Sequence, residues 1–140
     1  MGLLEKLFGG GKKYPALAAD SPAARNLEAM KKSLEQLSSE VGDSIEVVPD
    51  DDSAFVFIGN PPKNFGMAWI KGGSVHNFKS LAEERGIGQP QLLKMIEKLR
   101  DAYHRSGDDR RFSATIGGKS VVVTPSKDLA REVDSIIASA

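Results

Sequence analysis

Leu27, Met30, Leu34, Leu37 and Val41 recur in alternating steps of three and four, the apolar seam of an amphipathic helix. Asp20-Ser21-Pro22 supplies its start, with a side-chain acceptor at the cap and a proline at the first helical position, where a missing N–H does no harm. Gly42 supplies its stop. Lys31, Lys32, Glu35 and Glu40 fall off the seam, so the helix carries one narrow apolar stripe. Such a stripe suits either the face of a sheet or a second copy of itself.

After Gly42 the period changes. SIEVV (44–48) and AFVFI (54–58) are runs of β-branched and aromatic residues separated by PDDDS, which predicts two strands and an exposed connection. GNPPKNFG (59–66) interrupts the pattern, because consecutive prolines lack donors and hold their neighbours extended. MAWIK and SVHNF then flank Gly72-Gly73, and TI and KSVVV flank Gly117-Gly118, each a two-residue hairpin turn. Similar helix starts follow the two hairpins, KSLAEE (79–84) and KDLARE (127–132). A ββα unit used twice and a grammar shared by chance both account for that match. Leu129, Val133, Ile136 and Ile137 mark the closing helix.

The predicted order is α-ββ-ββ-αα-ββ-α, an α+β fold with an antiparallel sheet of about five to six strands, helices at both termini and a central helix pair. Residues 21–140 are read as a single domain, preceded by a flexible or weakly amphipathic extension over 1–20. In that extension Glu5 and Lys6 interrupt the apolar run, so no signal-peptide core is expected, and Leu3, Leu4, Leu7 and Phe8 admit a membrane or partner anchor, with a frayed or docked end the preferred reading.

Forty per cent apolar and twenty-seven per cent charged residues are ordinary for a globular chain. The absence of cysteine removes disulfides, thiolate metal sites and a cysteine nucleophile together, and fits a cytoplasmic setting. Formal net charge is zero, but Asp43, Glu46, Asp50, Asp51 and Asp52 form an acidic stretch, while seven Lys or Arg against four acids make 91–119 mildly basic. Overall neutrality weakens non-specific nucleic-acid binding, which depends on neutralising phosphates.

The basic region contains SLAEERGIGQPQLLKMIEKL (80–99). Ala82, Gly86, Ile87, Leu92, Ile96 and Leu99 supply a small crossing residue, a turn glycine and flanking apolar positions, and Gln89-Pro90-Gln91 opens the second helix. The segment resembles a bacterial helix-turn-helix, especially that of LysR-type regulators. The resemblance implies a winged-helix reading over 80–123, with Gln91, Lys94, Lys98, Arg110, Arg111 and Lys119 contacting DNA. Arg85, Leu93, Glu97, Asp101, Asp108 and Asp109 depart from that pattern. The overall order of elements is similar to that of type III secretion chaperones and related bacterial regulatory domains. That likeness lies in topology and implies a compact dimer.

No motif for chemistry is complete. PDDDS lacks the ligand register of an EF-hand, and GGS and GGK lack the spaced pattern of a phosphate loop. His76 and His104 are the only histidines and have no metal spacing. Neither an enzyme, a cofactor nor a metal is therefore expected. The leading expectation is a non-catalytic, chaperone-like adaptor, binding a protein partner and/or forming a homodimer through apolar faces. Phe55, Phe57, Phe65 and Trp69 are the candidate partner-binding residues, and the DNA-binding regulator is the alternative.

Overall fold

A computed structural model describes residues 14–140. Helices α1 (Pro22–Ala29) and α2 (Lys31–Glu40) lead into strands β1 (Ile45–Pro49), β2 (Ser53–Asn60), β3 (Asn64–Lys71) and β4 (Ser74–Asn77). Helices α3 (Phe78–Arg85) and α4 (Gln89–Arg105) follow, then β5 (Phe112–Ile116), β6 (Lys119–Val123) and α5 (Lys127–Ala138). The chain is α+β in the expected order. Residues 1–13, and with them the anchor reading of Leu3, Leu4, Leu7 and Phe8, lie outside the described residues.

The six strands form one sheet in the order β4-β3-β2-β1-β6-β5. All neighbours are antiparallel except β1 and β6, where Glu46 lies beside Val122 and Val47 beside Val123 in parallel. The sheet is therefore mixed, where hairpin grammar predicts a wholly antiparallel one. Turn residues fix pairing only within a hairpin, whereas β1 and β6 meet from distant parts of the chain. All five residues of β1 are buried, as suits a central strand covered on both faces.

Both faces of the sheet carry helices. Leu27, Leu34 and Leu37 are buried with Ile45, Val47, Val56, Ile116, Val121 and Val123 on one side. On the other, Leu81, Met95, Leu99, Leu129, Val133 and Ile137 pack with Val48, Phe55, Phe57, Met67 and Trp69. Side chains alternate across a strand, so AFVFI is apolar throughout because Phe55 and Phe57 enter one core while Ala54 and Val56 enter the other. This corrects the partner-binding assignment: Phe55, Phe57 and Trp69 are interior residues, and Phe65 packs half-buried on Phe57, ring centroids 5.6 Å apart.

The single helix expected over 22–41 is broken at Met30, whose backbone leaves helical geometry at φ −110° and ψ 19°. The break lets α1 lie along β1 while α2 crosses to β5, so one apolar seam follows a twisted surface. Ser21, Asn77 and Ser126 accept backbone N–H groups at the starts of α1, α3 and α5. Gly72-Gly73 and Gly117-Gly118 adopt nearly the same pair of positive φ angles, 59° and 81° against 58° and 80°, as primed hairpin turns require. No described helix is long and apolar enough to cross a membrane.

Candidate functional site

The helix–glycine–helix corner exists: α3 ends at Gly86 in the left-handed region and α4 begins at Gln89. Lys94 and Lys98 are exposed on α4, Arg110 is exposed before β5, and Gln91 is exposed while its side chain accepts the Gly88 N–H at 3.1 Å. Arg111 and Lys119 are placed differently from the DNA-contacting expectation. The Arg111 side chain is only 9% exposed and paired with Glu46, and Lys119 Nζ donates to the carbonyls of Val41 and Asp43. The expected wing is also part of the sheet, since β6 lies hydrogen-bonded between β1 and β5. The GNPPKNFG loop is strapped to α4, because Arg100 donates to the Pro62 carbonyl (2.6 Å) and the Lys63 carbonyl (3.1 Å) and lies over the Phe65 ring.

Glu46 is the centre of the one polar cluster in the described interior that joins several elements. Its Oε1 accepts the Tyr103 hydroxyl at 2.7 Å, and its Oε2 accepts Arg111 Nε at 3.0 Å and the Thr124 hydroxyl at 2.6 Å. Arg111 also donates to the carbonyls of Ser106 and Asp109 and to the Ser106 hydroxyl. Burial, and then the charge of Glu46 and the hydrogen bond to it, push the Tyr103 phenol above its ordinary value of about 10, while Arg111 pulls the other way. Burial works most strongly against the charge on Arg111, but Glu46 and Tyr103 together outweigh it and hold the guanidinium above its ordinary range. Among the described residues no buried side-chain polar atom lacks a partner. The cluster thus ties β1, α4, the start of β5 and the end of β6 together, and presents no free group for a substrate.

The sequence reading missed this cluster. Its signal was Glu46 itself, a lone carboxylate inside the apolar run SIEVV, because a strand buried on both faces tolerates a charge only with a partner.

The described residues include two open clefts. One, of about 180 Å³, is lined by Trp69, Lys71, His76, Glu84, Arg85 and Asp134 among others. Its charged groups already face protein atoms: Lys71 bonds Asp134 at 2.7 Å, His76 stacks on Trp69, and Arg85 donates to the carbonyls of Ile137, Ala138 and Ala140. No three His, Asp or Glu side chains among the described residues group into a metal-holding set.

The other cleft, of about 260 Å³, lies where α1 and α2 pass the β5 edge, and its lining includes Leu17, Leu27, Glu28, Leu34, Glu35, Thr115 and Ile116. Here the chain itself shows what the edge can hold. The Ser113 N–H donates to the Pro15 carbonyl at 2.8 Å and the Leu17 N–H donates to the Ser113 carbonyl at 2.9 Å, so residues 15–17 lie against β5 as a short parallel bridge. The Ser113 hydroxyl adds a bond to the Tyr14 carbonyl. Because Ser113 points its backbone groups away from β6, alternation along an antiparallel ladder points those of Thr115 outward as well. Thr115 is exposed, and among the described residues its outward N–H and C=O have no partner. An edge rung of this kind, beside a cleft with an apolar floor, is what strand addition requires.

No protein-family model, curated protein or solved structure matches the chain. The functional reading therefore rests on the site.

Proposed function

We propose that this protein is a non-catalytic adaptor that binds an extended segment of a partner protein by strand addition at the edge of β5. The supporting observation is the bridge between Ala16 and Ser113, beside which the next outward rung, Thr115, opens onto the 260 Å³ cleft. Backbone bonds at the edge supply affinity that does not depend on sequence, and the cleft selects the side chain beside them. Leu17, Leu27, Leu34 and Ile116 give that cleft its apolar part. This reading replaces an apolar sheet face by a sheet edge as the binding surface, since both faces are already covered.

The test is Thr115→Pro, which removes the outward N–H while leaving the ladder to β6 intact, the arrangement in which edge strands accept proline. The variant should keep its circular dichroism and lose the partner captured by the wild-type chain from an extract of its own cells. Equal capture by a folded Thr115→Pro protein would sink the proposal. Sedimentation of the two proteins names the occupant: a dimer that dissociates in the variant means that the partner is a second copy.

A further inference from the structure

The cleft beside Thr115 has an apolar floor and a charged rim. Leu27, Leu34, Ala114 and Ile116 belong to the core beneath it, while Glu28, Lys31 and Glu35 come from α1 and α2. Two carboxylates against one ammonium leave the rim net negative, and among the described residues neither Glu28 nor Glu35 is paired with a cation.

Register limits what enters. Residues 15–17 already lie alongside Ser113, which confines an added strand to the stretch from Thr115 towards the Gly117-Gly118 turn. Ile116 and Ala114 face the core on the α1–α2 side, so the added residue opposite Ile116 projects its side chain to that side, into the cleft. Glu35 borders the same end, since its Cγ lies 3.7 Å from the position that a Cβ on Gly117 would take. One inward position therefore meets an apolar floor first and a carboxylate rim second. Lysine and arginine have that order of chemistry along a single side chain, an aliphatic stem and a cationic head.

Resting on the strand-addition reading, we infer that the cleft selects an extended peptide segment with a lysine or arginine directed inward, its stem on Leu34 and Ile116 and its head at Glu35 and Glu28. The experiment titrates the full isotope-labelled chain at low salt with three short synthetic peptides of alternating Thr and Val. They differ at one central position, which is Lys, norleucine or Glu, and the amide shift of Thr115 is followed by NMR. Norleucine keeps the stem and lacks the charge.

The Lys peptide should bind about threefold more tightly than the norleucine peptide, the scale of one partly exposed ion pair. That advantage should vanish in Glu28→Gln/Glu35→Gln and shrink as salt rises. Shifts at Thr115 with no preference for Lys, or a preference that survives in the double variant, overturn this inference and leave strand addition standing. No shift at Thr115 with any peptide at millimolar concentration overturns both.

Discussion

Glu46 is the residue at which one substitution reaches furthest. Tyr103 on α4, Arg111 just before β5 and Thr124 just after β6 donate to its carboxylate, and Arg111 has no other acidic partner among the described residues. Removing one member of a buried pair leaves the other charge desolvated, so Glu46→Ala should cost about 3–5 kcal/mol in urea unfolding followed by Trp69 fluorescence. Tyr103 adds a pH dependence whose sign follows from its raised pKa. The folded state prefers the neutral phenol, so the contribution is whole below the unfolded value of about 10 and is lost as pH rises above it towards the folded value. Stability of the wild type should fall above that pH more steeply than that of Tyr103→Phe, and equal slopes would remove Tyr103 from the account. At this scale the sequence was only half legible. It marked Glu46 as anomalous by its apolar neighbours, but it grouped Arg111 with the basic surface because spacing cannot say which way a side chain turns. The same blindness assigned Phe55, Phe57 and Trp69 to a partner, since a doubly covered strand and an exposed apolar one read alike.

At the scale of elements, the periodic segments were the most legible. The cap at Ser21, the paired glycines and the order of helices and strands all follow from local rules that act within a few residues, whereas Asn77, read as part of the strand SVHNF, caps α3. Two features do not obey local rules. The break at Met30 answers to the twist of the sheet beneath it, and the parallel pairing of β1 with β6 joins segments separated by two hairpins' worth of chain and two helices. Leucines on two helices test how far the packing account goes. Leu34 is 1% exposed under the sheet, whereas Leu93 is 55% exposed on α4. Leu34→Ala should lose about 2–5 kcal/mol of unfolding free energy, and Leu93→Ala should stay within about 0.5 kcal/mol of wild type. Similar losses at both sites would mean that α4 buries its outer side against something further.

On the scale of the whole molecule, a sheet with helices on both faces has only its edges left for strand recognition. One end of the sheet is β4, four residues long, and the other is β5, half covered by the chain's own residues 15–17. The candidate site at β5 was not legible in the sequence, because it is made by the approach of residues 15–17, α1 and α2 to a strand about a hundred positions later. The basic character of 91–119 was legible, but part of it is internal: Arg111 and Lys119 bond protein atoms, the exposed Lys94, Lys98 and Arg105 share α4 with Glu97 and Asp101, and Arg110 follows Asp108 and Asp109. Binding to random duplex DNA at physiological salt should therefore be undetectable at micromolar protein, and Lys94→Glu/Lys98→Glu should change nothing. Salt-sensitive binding that this pair abolishes would restore the helix-turn-helix reading.

The central claim is that β5 offers one open rung beside one that is already filled. Amide hydrogen exchange of the full chain measures it directly. The Ser113 amide, bonded to the Pro15 carbonyl, should be protected, while the Thr115 amide exchanges fast until a bound peptide slows it. A Thr115 amide as slow as that of Ser113 in the free protein, or one that no bound peptide protects, would contradict the account.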